Sequence, residues 1–226
     1  MRRALNFWVL GGDMRQAKLA QLLAEDGHRV HTYALEQGVE PAALLSVERG
    51  TARMGEGDCV IFPLPVADGR GRLNAPLSDR QVPVVDLLDA LTPEQVICGG
   101  ILDQATSALA AERRLTIHDY FSREELQIAN AVPTAEGAIQ IAMEQLPVTL
   151  NGARVLVIGY GRVGKLVAQR MAALGARVSV AARRYEHLAW ARALGYGAEH
   201  TSHLAGWLCG YDLVVNTVPA RVLGQA

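Results

Sequence analysis

Arg154-Val-Leu-Val-Ile158-Gly159-Tyr160-Gly161-Arg162-Val163-Gly164 is the stretch on which the fold turns. Five strand-forming residues run straight into a GxGxxG turn, and a segment with helical spacing follows from Val163 to Leu174. Each glycine has a mechanical duty there. Gly159 permits the tight turn, Gly161 lets backbone approach a pyrophosphate, and Gly164 lets the helix pack closely on the strand. Tyr160, Arg162 and Val163 complete the turn. The helix start offers unpaired N–H groups and a positive dipole end to phosphates. Strand, turn, helix and next strand occur in the order a dinucleotide-binding site requires.

That next strand, Arg177–Ala181, ends in Ala182-Arg183-Arg184. An NAD site places an acid about 20 residues after the glycines to hold the ribose 2′-hydroxyl. Here two arginines stand instead, and Arg183 is suited to clamp a 2′-phosphate through forked, charge-assisted hydrogen bonds. The expectation is NADP. The alternative is that both arginines are ordinary solvated charges at a strand end. A later strand, Asp212–Asn216, ends in Asn216-Thr217-Val-Pro219, whose polar groups either touch ribose or nicotinamide or simply close a turn.

The same rhythm of short apolar runs and helical stretches covers the whole chain, predicting α/β architecture with two Rossmann-like parallel-sheet domains. Expected strands in the first half are Leu5–Leu10, Arg29–Tyr33, Asp58–Phe62, Val82–Val85, Gln95–Cys98 and Leu115–His118. Helices are expected at Met14–Asp26, Gln104–Arg113 and Arg123–Gln145, and in the second half at Tyr185–Leu194. The Pro147–Gly152 connection sets the expected boundary between a substrate-side domain, 1–150, and a dinucleotide domain, 151–226. The second domain reads as incomplete, with one mononucleotide half and the next strand.

Of the 226 residues, 50% are hydrophobic and 20% charged, which fits a globular chain. The 22 Lys+Arg against 23 Asp+Glu give a formal net charge of −1, no footprint for nucleic acid or an anionic membrane. No apolar run reaches the roughly 18 residues of a membrane span, and the MRRALNFWVL start reads as a buried strand rather than a leader. Cys59, Cys98 and Cys209 form no CxxC pair, which argues against disulfides and zinc and fits a reducing cytoplasm.

Two further segments are polar in a patterned way. Gly11-Gly12-Asp13-Met-Arg15-Gln16 follows the first strand. Asp13 with Gln16 has capping-box spacing, while Arg15 is a candidate for a substrate carboxylate. The segment from His118 to Gly137 holds Asn130, Thr134 and Glu136, with Pro133 expected to break or restart the helix. Glu136 and His118 are candidate acid/base groups, although Thr134 as N-cap and Glu136 in the first turn would serve structure alone. No nucleophile elbow, Walker loop or HExxH occurs, so hydrolase and kinase chemistry lack support.

GGDMRQ, DYFSREELQIANAVPTAEGAIQIAME, VLVIGYGRVGKLVAQRMAALGARVSVAAR and DLVVNTVP together resemble the A subunit of dipicolinate synthase, in order along nearly the whole chain. The resemblance implies NADP-dependent oxidation of a dihydrodipicolinate-type dicarboxylate of the lysine pathway to dipicolinate. It also implies a partner, the flavoprotein-like B subunit of dipicolinate synthase, and a role in the mother cell during endospore formation. By position, Gly159, Gly161, Gly164 and Arg183 would bind cofactor, and Asp13, Arg15, Asn130, Thr134 and Glu136 would line the substrate side. Members of that family continue beyond the position matching Ala226. Alternatives are another dehydrogenase of the 2-hydroxyacid or alanine dehydrogenase type, or a non-catalytic chain that binds NADP. A homo-oligomer stays open.

Overall fold

The computed structural model describes residues 3–206, 208–220 and 222. Two compact units are present, Met1–Arg123 and Glu124–Ala226. The division falls before the long helix, whereas the sequence reading placed it after that helix, at 150/151.

The first unit is built on a six-stranded, all-parallel sheet. Its strands are β1 (Asn6–Leu10), β2 (Arg29–Tyr33), β3 (Leu45–Glu48), β4 (Cys59–Ile61), β5 (Val96–Gly99) and β6 (Ile117–Asp119), in the order β3-β2-β1-β4-β5-β6. That is the doubly wound order of dinucleotide-binding folds, with its reversal between β1 and β4. Helix α1 (Met14–Glu25) lays Ala17 and Ala20 on one face against Val9, Val30 and Leu35. Helices α2 (Val84–Asp89) and α3 (Gln104–Glu112) bring Val84, Leu87, Leu88 and Ala110 to the other face, against Trp8, Leu10, Val60, Phe62 and Ile97. The strand expected at Val82–Val85 is therefore corrected. Pro83 supplies no N–H to a ladder and caps a helix, whose buried Val84, Leu87 and Leu88 recur at helical rather than alternating spacing.

Gln95 ties the loop before β5 to the loop before β4. Its Nε2 donates to the carbonyls of Met54 and Gly57, each at 2.8 Å, and its Oε1 accepts from the Thr92 N–H at 2.9 Å. The side chain is buried, so these bonds satisfy groups that water does not reach.

In the second unit, β7 (Arg154–Ile158), β8 (Arg177–Ala182), β9 (Gly197–His200) and β10 (Leu213–Asn216) form a parallel sheet ordered β10-β7-β8-β9. Strand β7 is buried on both faces. Val155 and Val157 meet α4 (Glu124–Gln145), α5 (Arg162–Ala173) and α6 (Tyr185–Ala193) through Ala135, Ile139, Val167, Met171 and Leu188, while Leu156 and Ile158 face Leu204 and Val214.

Helix α4 runs unbroken past Pro133, contrary to the expected break. An interior proline costs about 3 kcal/mol. The buried run Ala131, Ala135, Ile139 and Ala142 offsets that by packing. Thr134 is accordingly mid-helix, its hydroxyl donating to the Asn130 carbonyl at 2.8 Å, so its reading as an N-cap is corrected. Glu136 likewise is not in a first turn.

Candidate functional site

The glycine turn after β7 behaves mechanically as its spacing predicts. Gly159 has φ +95°, and a Cβ there would lie 2.6 Å from Thr217 Oγ1. A Cβ on Gly164 would lie 2.2 Å from the Gly159 carbonyl oxygen, the sign of closest helix–strand approach. Gly161 differs, because a Cβ there meets nothing within 4 Å. Its side of the turn faces open space. It is also the N-cap of α5, where no side chain caps the helix and no acid sits in the first turn. The first N–H groups of α5 thus point out over an open glycine, a cradle that fits a pyrophosphate.

The other residues of the turn divide by role. Tyr160 is 3% exposed and packs in the core, edge-on to His187 at 6.1 Å, which leaves its backbone to the cradle. Val163 packs against the same core. Arg162 is exposed and held by Glu124 through three contacts of 2.9–3.1 Å. Sequence reasoning missed Glu124 as a partner because 38 residues separate the two. Thr217 Oγ1 donates to the Ile158 carbonyl at 2.9 Å, and Asn216 Oδ1 accepts from the Val218 N–H at 3.1 Å. Both side chains make the turn that closes β10 on β7.

Arg183 follows β8 directly. Its exposed guanidinium has no hydrogen-bond or ion-pair partner among the described residues. Arg184 is paired with Glu186 at 3.3 Å.

The first unit carries a second glycine turn, after β1, and it is closed. A Cβ on Gly11 would lie 2.8 Å from the Asn74 carbonyl oxygen, and one on Gly12 would lie 2.7 Å from Gln16 Cβ. Asp13 caps α1 by accepting from the Arg15 N–H at 3.0 Å, while Gln16 Nε2 donates to the Ile61 carbonyl. The cap is formed, but Gln16 is engaged with β4 instead of completing a capping box. Arg15 grips both Asp13 carboxylate oxygens at 2.9–3.2 Å. That grip holds the Asp13 carboxyl below its ordinary value of 3.8 and raises Arg15.

A depressed carboxyl stabilises the fold fully above its unfolded value and loses that contribution as the pH falls through the lowered one. Asp13→Asn is therefore expected to flatten the acid limb of stability against pH, read from melting temperatures below about pH 4.

At the same carboxyl edge, Tyr120 donates to the Phe62 carbonyl at 3.1 Å, and burial pushes its hydroxyl up to about 12. The neighbouring Cys59 thiol and the field of His118 pull the Cys98 thiol down to about 6. Sequence reasoning missed this pair, since the pairing of β4 with β5, Cys59 opposite Val96 and Ile61 opposite Cys98, sets the two thiols diagonally on adjacent strands. His118 is exposed on β6, directly opposite Cys98. In the second unit, Glu136 pairs with Arg170 at 3.2 Å, and Arg170 also donates to the Val132 carbonyl. Asn130 is half-buried on the same helix. No cluster of three metal-ligating side chains occurs among the described residues.

Residues 6–121 match the family of the dipicolinate synthase A subunit, N-terminal domain. Residues 108–222 match the family "D-isomer specific 2-hydroxyacid dehydrogenase, NAD binding domain". The dipicolinate synthase A subunit of Bacillus subtilis (strain 168) is 31% identical over 229 residues, covering 100% of this chain and 76% of that protein. Its crystal structure superposes with a TM-score of 0.83 at 30% identity, over 100% of this chain and 76% of that one. The corresponding protein from Bacillus halodurans gives 0.83 at 28% identity, over 96% and 75%. A Sinorhizobium meliloti transhydrogenase, 15% identical with a TM-score of 0.60 over 96% and 70%, shares the fold alone. The second unit is thus a dehydrogenase-type, nicotinamide-dinucleotide-binding domain, and the chain as a whole belongs to the family of dipicolinate synthase A subunits.

Proposed function

We propose that this chain is the A subunit of an NADP-dependent dipicolinate-forming oxidoreductase. The observation that carries the NADP reading is Arg183, an unpartnered guanidinium at the strand end where an NAD site would hold an acid. Gly161 and the uncapped start of α5 hold the pyrophosphate, and Arg162 exchanges Glu124 for phosphate oxygens. Bound NADP⁺ supplies a hydride acceptor for the ring carbon of a dihydrodipicolinate-type substrate. The chain's own residues then have three tasks: orient the ring, neutralise its two carboxylates, and remove a ring proton.

Arg15 answers the carboxylate task, with Asp13 as the internal anion that the substrate competes against. Asn130 and Thr134 are proposed for the substrate side. Of the two candidate bases, His118 is favoured, because Glu136 is committed to Arg170. The reading extends to the flavoprotein-like B subunit, the partner in the same synthase, and to the mother-cell cytoplasm during endospore formation. Among the described residues, no helix is long and apolar enough to cross a membrane.

Fluorescence titration with NADPH and NADH tests the cofactor assignment. Arg183→Ala is expected to weaken NADPH by about tenfold to thirtyfold and NADH by less than about twofold. Equal losses would end the NADP assignment. The match of residues 108–222 to the 2-hydroxyacid dehydrogenase domain favours a second reading, a hydroxyacid dehydrogenase. Turnover on hydroxyacids but not on dihydrodipicolinate, with the B subunit present, would decide for it.

A further inference from the structure

β8 and β9 run side by side, with Ala182 opposite His200, so both strands deliver their last residues to one edge of the sheet. His200 makes three polar contacts there. Its Nε2 lies 3.1 Å from the Arg183 carbonyl oxygen, and its Nδ1 lies 2.7 Å from Ser202 Oγ and 3.3 Å from the Ser202 backbone nitrogen. A backbone N–H can only donate, so Nδ1 is an acceptor and the proton of the neutral ring sits on Nε2. Nε2–H therefore donates to the Arg183 carbonyl.

The same imidazole stacks on Tyr185, with centroids 5.4 Å apart and planes 18° from parallel. One side chain from β9 thus holds both the backbone of Arg183 and the ring two residues later. The nearby carboxylates are engaged elsewhere, Glu199 with His203 at 2.6 Å and Glu186 with Arg184 at 3.3 Å. Neither quenches Arg183.

We infer that His200 is a positioning residue for cofactor selectivity, fixing the Arg183 carbonyl so that the guanidinium is aimed at a phosphate on the ribose 2′ position. The inference rests on the NADP reading of Arg183. A long cation on an unpinned strand end loses backbone and rotamer freedom when it grips an anion, and that loss subtracts from affinity. A backbone already held by hydrogen bond and stack has less freedom to lose. Since NADH lacks the 2′-phosphate, the benefit falls on NADPH alone.

Two variants of the full chain separate the hydrogen bond from the stack. His200→Phe keeps a ring against Tyr185 and removes both nitrogens, whereas His200→Gln keeps an N–H near the Nε2 position and removes the ring. Each is titrated with NADPH and NADH, and with 2′,5′-ADP and 5′-AMP as probes of the adenosine end. His200→Phe is expected to weaken NADPH and 2′,5′-ADP by about tenfold and to leave NADH and 5′-AMP within about twofold, while His200→Gln stays within about threefold of wild type throughout.

If His200→Phe weakens all four ligands equally, His200 merely supports the fold and the inference is overturned. It is overturned equally if His200→Phe retains NADPH, or if His200→Gln falls as far as His200→Phe. The wild-type titration is read first, because a chain that binds NADPH and NADH equally refutes the Arg183 reading and this inference with it.

Discussion

Gly161→Ala is expected to fold as well as wild type and to lose dinucleotide binding by about thirtyfold or more, as a Cβ intrudes where backbone and pyrophosphate should meet. Gly161 has φ −84° with extended ψ, a conformation open to alanine, and beyond its flanking residues no protein atom lies within 4 Å of the added carbon. Removing a glycine at such a site stabilises by about 0.4–1 kcal/mol through the unfolded chain. The melting temperature should therefore hold or rise slightly. Gly164→Ala is the opposite case. Its Cβ would meet backbone, the Gly159 oxygen at 2.2 Å, which no side-chain movement can relieve. A loss of about 2–4 kcal/mol is expected for the second unit, with binding lost as a consequence. Calorimetry paired with an NADPH titration reads both quantities. Were Gly161→Ala to bind normally, the open side of the turn would not be where the ligand lies.

The second large effect is expected in the first unit. Gln95→Leu keeps similar volume but strips three hydrogen bonds, leaving the Met54 and Gly57 carbonyls and the Thr92 N–H without their partner. Buried polar groups left unmet cost about 1–3 kcal/mol each when water cannot replace the partner. Partial relaxation of the two loops brings the expected total to about 3 kcal/mol. Urea unfolding followed at Trp8, a fully buried reporter of the first unit, measures it. Dinucleotide binding in the second unit is the internal control and should be unchanged. A shift below about 1 kcal/mol would mean that solvent reaches these carbonyls once Gln95 is gone.

How far the sequence reached depended on how local each signal was. β2 and β7 matched their expected bounds, each flanked by a glycine-bearing turn, and β7 carries a continuous apolar run as well. The two strands that went unread, Leu45–Glu48 and Gly197–His200, are both sheet edges. With one neighbour each and polar residues along them, they lack the continuous apolar run that marks a strand buried on both faces. Pro133 misled in the other direction, since a local rule gave way to the packing of Ala135 and Ile139. At the site, the roles of Gly159 and Gly164 were legible because the motif encodes sterics. The partners of Arg162, Arg183 and Cys98 were not, because Glu124, His200 and Cys59 come from other elements.

The chain winds in the same sense twice, and each winding carries a glycine turn after its first strand, yet the two turns differ as a plugged socket differs from an open one. Leu73, Asn74 and Gln16 fill the space around Gly11 and Gly12, and Asp13 puts a negative charge at the head of α1. On the proposed reading the dinucleotide has one address, and saturation is expected at one molecule per chain. The first turn instead holds a carboxylate–guanidinium pair, so an anion proposed to bind Arg15 would have to displace a tethered one.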